Sequence, residues 1–476
     1  MERSNQHITS VIWVENLAAS CHTCLCTNGA VHTCSLVELL QIYSFCALSG
    51  SVHMNMNMNM KYPYLVQGVF LYNNPKQPYI FSFNKRKAHT LNQSASYILD
   101  KCDGKTSIEE IIKKIVEDFT ISPESARKDV HYTLEYAHGE GIINYSFKPL
   151  EKRSQSLGDY RSFIPIEVFV QVTYQCNFRC NYCFIQPERK DLHDVSDIFD
   201  LLFTWGTRKV ILTGGEPLVR NDFMEIVTEA AKKFERVDVQ TNGYFITDFE
   251  PDIISLPQTV AYYISLDGPQ EYTDALHGKG TFERIIRGIK TLRQHGYKIL
   301  LSVLLTPGNI TYYDYLRKLA EEVVDNKVNF GIPLPLGNSS DRIKAMYCDK
   351  EFILTYLEKV GRPLLDQSAE FSGRSANPAV TQCGAGVTSV TITPDGDIYP
   401  CATVCTDTQW KMGTIFDNDL ERISQLISPH YANRPDQRCD KGIGYALQVF
   451  GLDFGGCFSI GQHLCKKGTL FTPPHV

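Results

Sequence analysis

The segment "IEVFVQVTYQCNFRCNYCF", from Ile166 to Phe184, joins a short apolar run to three closely spaced cysteines. Cys176, Cys180 and Cys183 follow that run with the spacing C-x3-C-x2-C. The run is rich in β-branched residues, which predicts a strand. Three thiols this close in sequence could converge on one metal centre, but zinc sites and iron–sulfur clusters usually take four ligands. The fourth position therefore has to be explained.

Strand and helix patterns alternate from Pro165 onwards. Repeated βα units imply a parallel sheet with helices outside it, and six of them suggest a partial or complete barrel. In such folds the chemistry sits at the carboxyl ends of the strands. The cysteines follow the first strand and "TGGEP", from Thr213 to Pro217, follows the second, so both are expected at the same mouth. The strand candidates are "IEVFVQV", "KVILTG", "RVDVQTN", "AYYISLD", "KILLSVLL" and "KVNFGIP".

Composition excludes several classes of protein. A chain of 476 residues is too long for one ordinary core, so roughly two to four domains are expected. The net charge of −6 argues against a nucleic-acid binder held mainly by phosphate contacts. No apolar run is as long as a membrane span, and the first residues do not resemble a signal peptide. The sequence therefore predicts a cytoplasmic protein that binds neither nucleic acid nor membrane.

The 16 cysteines are many for a reducing compartment, where such clusters indicate metal or redox sites more often than disulfides. Besides the central three, they form an N-terminal and a C-terminal group. The N-terminal group is Cys21, Cys24, Cys26, Cys34 and Cys46. The C-terminal group is Cys383, Cys401, Cys405, Cys439, Cys457 and Cys465. Cys102 and Cys348 stand alone and are expected to be buried small hydrophobic side chains.

Taken together, the central motifs resemble the radical SAM superfamily over roughly residues 160–340. The cysteine spacing is that of the family, and the aromatic Tyr182 precedes the last cysteine. "QTNG" and "ISLDGP" stand where the family has the ends of its third and fourth strands. The family's GGEP motif is matched by Gly214, Gly215, Glu216 and Pro217. The resemblance implies an α/β fold with a partial (β/α)6 barrel over residues 164–345.

The resemblance also accounts for the fourth metal ligand. In the family, three thiolates hold three irons of a [4Fe–4S] cluster, and S-adenosylmethionine (SAM) occupies the fourth iron. It implies that the stretch from Gly214 to Pro217 holds the methionine amine, that Ser265 lies near the ribose or carboxylate, and that Tyr182 contacts the cofactor. An electron from a low-potential donor such as ferredoxin or flavodoxin then cleaves SAM to a radical that removes a substrate hydrogen. No protein acid or base is assigned, because the cofactor does this chemistry.

A structural zinc site made of the three cysteines and a distant ligand is the alternative. Zinc motifs more often pair two C-x2-C halves at a distance. The GGEP motif in register with the cysteines favours the cluster.

The segment "CGAGVTSVTITPDGDIYPC", from Cys383 to Cys401, resembles the start of a SPASM domain, the auxiliary-cluster extension of peptide-modifying radical SAM enzymes. Its centre predicts a hairpin around Asp395 and Gly396. The resemblance implies a cysteine-rich domain over residues 346–476 with at least one auxiliary [4Fe–4S] cluster. The ligands expected for it are Cys383, Cys401, Cys439 and Cys457. The later cysteines depart from the family's spacing, so some of these thiols being free or structural is the alternative.

Residues 61–147 are predicted to form a small α+β unit of winged-helix type, followed by a polar linker at 148–163. Two β-type runs are followed by three predicted helices. The second helix is expected to begin with a capping box of Thr106 and Glu109, and the third helix to begin near Pro123. The unit resembles PqqD-like peptide-recognition domains, which implies that the leader of a precursor peptide binds by adding a strand to a sheet edge. A winged-helix unit with a purely structural role is the alternative.

Residues 1–60 contain "CHTCLCTNGAVHTCSLVELLQ", which resembles a sactipeptide precursor. The alternatives are that the first 53 residues are an artefact of gene calling or that the segment is a disordered tail. Together, these resemblances predict a radical SAM maturase that forms sactionine links between a cysteine sulfur and an acceptor α-carbon. The enzymatic alternatives are a peptide epimerase, a β- or γ-thioether-forming enzyme and a sulfatase-maturase-like oxidase of cysteine or serine. A zinc-binding, cysteine-rich peptide-binding module is the alternative without catalysis.

Overall fold

The computed structural model describes residues 61–417, apart from short segments. The segments outside it are 75–77, 86, 152–154, 160–163, 326, 334–341, 344–345, 347–348, 361–385 and 387. The precursor-like segment 1–60 therefore lies outside the described residues, as do three of the predicted auxiliary ligands, Cys383, Cys439 and Cys457.

The described elements are numbered along the chain. The strands are β1 (Tyr62–Leu65), β2 (Val69–Tyr72), β3 (Tyr79–Ser82), β4 (Lys87–Thr90), β5 (Ile143–Ser146), β6 (Ser156–Leu157), β7 (Glu167–Thr173), β8 (Lys209–Gly214), β9 (Arg236–Thr241), β10 (Val260–Ser265), β11 (Lys298–Leu304), β12 (Val328–Gly331), β13 (Ser389–Ile392), β14 (Asp397–Tyr399) and β15 (Gly413–Thr414). The helices are α1 (Gln93–Asp100), α2 (Ile108–Phe119), α3 (Pro123–Gly139), α4 (Val195–Trp205), α5 (Phe223–Lys233), α6 (Glu250–Ile253), α7 (Gln270–His277), α8 (Thr281–Gln294), α9 (Tyr313–Val324) and α10 (Lys350–Val360). None of these helices is long and apolar enough to cross a bilayer.

The described residues fall into two compact units, one from 61–66 with 91–151 and one from 67–90 with 155–417. Strands β2 to β4 therefore belong to the second unit, although they lie within the predicted 61–147 domain. The domain boundaries remain predictions.

In the first unit, helices α1 to α3 accompany an antiparallel pair of strands, β1 and β5. Helix α2 buries Ile111, Ile112 and Ile115, as its 3.6-residue apolar period predicts. The third helix begins at Pro123, which confirms that prediction.

The predicted capping box of α2 is wrong by one residue. The N-cap is Ser107, whose hydroxyl accepts the N–H of Glu110 at 3.3 Å, while the Glu110 carboxylate accepts the N–H of Ser107 at 2.8 Å. The Thr106 hydroxyl instead donates to the Asp103 carboxylate at 3.1 Å. Both pairs fit the same Ser/Thr-x-x-Glu pattern, so the pattern alone does not choose between them.

The second unit is built on a nine-stranded sheet with the order β12-β11-β10-β9-β8-β7-β13-β14-β15. Strands β7 to β12 are all parallel and joined through helices, as the repeated βα pattern predicts. Strand β13 continues the sheet in parallel beside β7, and β14 and β15 follow in antiparallel. The hairpin predicted around Asp395 and Gly396 is thus confirmed, and Gly396 adopts a φ of 77° at its turn.

Alternate residues of the parallel strands have different surroundings. Val168, Val210 and Val237 are fully buried in the main apolar core, together with residues of the surrounding helices such as Phe199. The opposite face of the same strands carries polar residues near the carboxyl ends, where Gln171 pairs in register with Thr213, and Ser265 with Ser302. The sheet therefore presents an apolar face to the helices and a partly polar face to the barrel interior.

A second sheet of this unit has the strand order β4-β3-β2-β6. The short β6 lies inside the predicted linker and pairs in parallel with β2. The Asn73 amide also donates to the Ser156 hydroxyl at 2.9 Å. The predicted linker is therefore partly structured. The sequence did not indicate this, because a strand of two residues is too short to give a recognisable pattern.

Candidate active site

The loop that follows β7, residues 174–186, carries the three central cysteines and is called the cysteine loop below. Its first residues are fixed by hydrogen bonds. The Tyr174 N–H donates to the Lys190 carbonyl at 2.9 Å, and the Gln175 amide donates to the Asp191 carboxylate at 2.9 Å. The loop therefore leaves the end of β7 in a defined direction.

The cysteine loop forms one wall of a cavity of about 270 Å³ at the carboxyl ends of the parallel strands. The cavity brings together most of the predicted site residues. Those that line it are Cys176, Cys180, Cys183, Tyr182, Gly214, Gly215 and Ser265. No three His, Cys, Asp or Glu side chains in the described part of the chain are arranged to hold a single metal ion. The three thiols line the wall of a space larger than one ion.

Two of the three sulfurs have a backbone hydrogen-bond donor beside them. The Phe178 N–H lies 3.4 Å from the Cys176 sulfur, and the Ile185 N–H contacts Cys183. The Tyr182 hydroxyl contacts the Cys180 sulfur but donates its hydrogen to the Asp267 carboxylate. Burial nevertheless raises the pKa of Cys176 to about 11 and that of Cys180 to about 12. The thiols would become thiolates on binding a metal, since a coordinated thiol loses its proton.

The two glycines of the GGEP motif are required by the cysteine loop itself. A Cβ on Gly214 would lie 2.2 Å from the Thr173 carbonyl oxygen, and one on Gly215 would lie 2.1 Å from the Gln175 carbonyl oxygen. The Gly215 N–H donates to Thr173 at 2.8 Å. Gly214 also has a φ of 138°, which L side chains rarely adopt. The end of β8 can therefore pack directly on the backbone of the cysteine loop.

Glu216 is almost fully buried behind the cavity and is not among its lining residues. Its carboxylate accepts three hydrogen bonds, from the Asn242 N–H at 2.6 Å, the Thr241 hydroxyl at 2.7 Å and the Leu218 N–H at 3.0 Å. Burial raises its pKa to about 7 although these donors oppose the shift. The carboxylate thus ties the end of β8 to the end of β9. Pro217, also buried, begins a short 3-10 turn after it.

Two residues of this site were not predicted from the sequence. Asp267, in the motif that contributed Ser265, lines the cavity and accepts a hydrogen bond from the Tyr182 hydroxyl. His277, at the end of α7, stacks on Phe178 with ring centroids 4.1 Å apart. Its buried Nδ1 has no hydrogen-bond partner among the described residues. His277 could be recognised only from the folded structure, because the sequence around it carries no pattern typical of a binding site.

The C-terminal hairpin of β13 and β14 packs beside the cysteine loop. Asp395 at its tip accepts a hydrogen bond from the Tyr174 hydroxyl at 3.2 Å and pairs with Lys190. Cys401, the predicted auxiliary ligand within the described residues, lies with Cys405 in one small apolar cluster. The Gln171 side-chain amide of β7 donates to the Cys405 sulfur at 3.6 Å, so this cluster lies beside β7.

Comparison with known proteins identifies three domains in this chain. Residues 170–325 match the radical SAM superfamily, residues 79–143 match coenzyme PQQ synthesis protein D (PqqD), and residues 383–440 match the SPASM iron–sulfur cluster-binding domain. The chain is therefore a radical SAM enzyme, whose cofactors are SAM and [4Fe–4S] clusters.

Several known proteins are similar to this chain over much of its length. The subtilosin biosynthesis protein AlbA of Bacillus subtilis is 26% identical over 70% of this chain and 76% of its own length. The mycofactocin maturase MftC of Mycolicibacterium smegmatis is 31% identical over 50% of this chain and 64% of its own length. The crystal structure of Streptococcus suis SuiB with its precursor peptide SuiA has the same fold, with a TM-score of 0.54, 14% identity and coverage of 79% of this chain and 92% of SuiB. The chain thus combines a radical SAM domain with PqqD and SPASM segments, and this combination supports a radical SAM enzyme that modifies peptides.

The described residues fit these cofactors. Three sulfurs line a common space, which suits a cluster bound at three corners with one iron left open. The cavity continues past Ser265 to His277, so there is room for a further group beside the sulfurs. The unpartnered Nδ1 of His277 is a polar atom that such a group would satisfy.

Proposed function

We propose that the chain forms thioether links of the sactionine type, between a cysteine sulfur and an acceptor α-carbon, in a ribosomally made precursor peptide. The observation that carries this proposal is the combination in one chain of a thiol-lined cavity at the barrel mouth and an auxiliary iron–sulfur domain whose hairpin packs beside it.

In this proposal Cys176, Cys180 and Cys183 hold the cluster that binds SAM. When bound, these cofactors supply a radical that takes one hydrogen atom from the substrate. Gly214 and Gly215 shape the wall next to the thiols, and Ser265 lies where the ribose or carboxylate would bind. Glu216 acts through the end of β9, because its carboxylate oxygens already accept three hydrogen bonds.

The electron balance favours a role for the auxiliary domain. The reaction breaks one S–H and one Cα–H bond of the peptide and forms one S–C bond. One hydrogen atom leaves with 5′-deoxyadenosine and one proton leaves the thiol, so one electron has to be removed from the peptide. We assign its acceptor to an auxiliary [4Fe–4S] cluster that includes Cys401, with Cys383, Cys439 and Cys457 as its further ligands.

The PqqD domain is proposed to bind the leader of the precursor peptide by strand addition to a sheet edge. AlbA is named for the biosynthesis of subtilosin, and SuiB was crystallised with its precursor peptide, which supports a peptide substrate here. A low-potential donor such as ferredoxin or flavodoxin would supply the first electron. The cytoplasm is the proposed location.

A peptide epimerase is the second candidate function. The match to the mycofactocin maturase MftC supports a maturase without specifying thioether formation. An epimerase returns a hydrogen atom to the α-carbon and needs no electron acceptor. The auxiliary iron–sulfur domain therefore favours thioether formation.

The test uses the full chain, reconstituted anaerobically with iron and sulfide and given SAM and dithionite. Two substrates are followed by mass spectrometry: the chain's own residues 1–60, recovered by proteolysis, and the small cysteine-rich peptide encoded nearest its gene. Loss of two hydrogens per link in either substrate is expected, and alkylation should then show fewer free thiols. Unchanged mass with an inverted residue in the hydrolysate would instead identify an epimerase. Cys180→Ala is the matched control and should leave both substrates unaltered.

A further inference from the structure

Asp267 follows β10 at the cavity wall and is held from the side of β11. Its side chain is only 7% exposed, and its Oδ1 accepts the Leu304 N–H at 2.9 Å. The fully buried Asn309 amide donates to the carbonyls of Asp267 and Leu304, at 2.9 Å each. The carboxylate therefore has a fixed position relative to the strand ends.

The second oxygen of this carboxylate, Oδ2, accepts the hydroxyl of Tyr182 from the cysteine loop. Tyr182 lies between Cys180 and Cys183 in sequence, and its hydroxyl also contacts the Cys180 sulfur. One side-chain oxygen thus lies between a fixed carboxylate and a proposed cluster ligand.

We infer that Asp267 is a positioning residue for the cluster, which holds the segment between Cys180 and Cys183 in place through the Tyr182 hydroxyl. The inference rests on the proposed cluster site. Hydrogen-bonded partners behind metal ligands orient those ligands, and their loss typically costs about 10- to 100-fold in metal affinity.

Two further hydrogen bonds tie the stretch from Asn177 to Asn181 to its surroundings, but both involve exposed groups. Arg342 donates to the Asn181 carbonyl at 2.9 Å, and the Asn242 amide donates to the Asn177 side chain at 2.8 Å. Water competes for such groups, whereas the partly buried contact of Tyr182 with Asp267 is better shielded from it. Among these three ties, the contact with Asp267 should therefore be the most important for holding the loop.

The rival explanation is that Tyr182 acts only through its aromatic ring. Tyr182→Phe separates the two ideas, because it keeps the ring and removes the hydroxyl. Asp267→Asn tests the other partner of the same contact. Tyr262→Phe is a matched control, since it removes a buried hydroxyl of β10 that has no hydrogen-bond partner among the described residues.

The experiment measures how fast an iron(II) chelator bleaches the reconstituted full-length protein, with the reduced-cluster EPR spectrum recorded with and without SAM. We expect Tyr182→Phe and Asp267→Asn each to lose the cluster about 10- to 100-fold faster than the wild type. The double variant should lose it no faster than the quicker single variant, because both changes break one contact. Tyr262→Phe should match the wild type in bleaching rate and in EPR spectra, and apo Tyr182→Phe should remain folded by circular dichroism.

Wild-type bleaching rates and spectra in Tyr182→Phe would overturn the inference, whatever Asp267→Asn does. Faster loss in Asp267→Asn alone would show that the carboxylate acts only through Leu304, which also overturns it. Should Asp267→Asn not fold, Tyr182→Phe decides the question by itself. A wild-type protein that assembles no cluster would instead contradict the proposed cluster site.

Discussion

The two ends of the same parallel strands differ in their charged residues. Cations paired with carboxylates lie at the amino ends, whereas the cavity lies at the carboxyl ends. At the amino ends, Lys209 contacts the carboxylates of Glu167 and Asp238 at 2.9 and 3.0 Å, and Arg236 contacts Asp238 at 2.6 Å. These four residues are called the base network. At the carboxyl ends, none of the described residues lining the cavity is a lysine or an arginine.

The pKa shifts follow this difference. Burial opposes the charge of Asp238, but Lys209 and Arg236 outweigh it and hold the pKa of Asp238 below its ordinary value. At the mouth, burial wins and raises the pKa of Asp267 to about 6 and that of Glu216 to about 7. The base network neutralises its own charges, while the described residues that line the cavity include no lysine or arginine. The strands thus separate stability at one end from chemistry at the other.

Removing a thiol at the mouth should have the largest effect on activity. Cys180→Ala is expected to reduce the formation of 5′-deoxyadenosine from SAM and dithionite below detection, because the cluster would lose one of its three proposed protein ligands. Chromatography of the reaction mixture measures this product. The unfolding free energy of the apo protein should change by less than about 1 kcal/mol, since Cys180 lines a cavity and is not a core residue. Continued production of 5′-deoxyadenosine would contradict the separation of the two ends.

Breaking the base network should lower stability and leave SAM binding intact. Asp238→Asn leaves Lys209 and Arg236 without their shared carboxylate in a buried setting, which we expect to lower the unfolding free energy by about 3–5 kcal/mol. Urea unfolding followed by circular dichroism measures the loss. At low temperature, where the variant is folded, SAM binding should be retained. A variant of wild-type stability would show that the network is not needed for folding.

The pH dependence of stability should depend on the base network too. Because the folded pKa of Asp238 is depressed, its contribution is present above the unfolded value of about 3.9 and is lost as the pH falls through the folded value. The stability difference between wild type and Asp238→Asn should stay constant from about pH 7 to pH 5 and shrink below about pH 4. Unfolding curves over that range test this, and a difference that grew on acidification would refute it.

The smallest expected effect concerns His277 at the mouth. His277→Phe keeps a ring that can stack on Phe178 and removes Nδ1, so we expect SAM to bind about three- to tenfold more weakly, the value of one ordinary hydrogen bond. Equilibrium binding to the reconstituted protein measures this. Unchanged affinity would mean that Nδ1 does not contact the cofactor, and the bleaching rate of the cluster should stay at the wild-type value.

Much of the barrel could be predicted from the sequence, because its strands are apolar runs separated by amphipathic helices. "KVILTG" coincides with β8, and the other five barrel strands are shifted or shortened by a few residues at most. The gathering of the thiols, Gly214 and Ser265 at one cavity also follows from the rule that parallel strands share a carboxyl end.

The remainder depends on contacts between residues that are distant in sequence. Asp267 and Tyr182 are 85 residues apart, so no local pattern pairs them. The contact of Glu216 with the cofactor stays a prediction. The sequence does not reveal that its carboxylate accepts hydrogen bonds from Thr241, at the end of β9, and from Asn242 directly after it. The base network was missed for the same reason, since its charges are spread over three strands.

Strand β13 pairs with β7 from Ser389 to Ile392, so the strand that leads into the cysteine loop has neighbours on both sides. Without β13, β7 would be an open edge, and unpaired edges template association between chains. The C-terminal hairpin should thus protect a freshly synthesised chain from aggregation before any iron has been inserted. Shortening the gene to the barrel alone should consequently yield inclusion bodies.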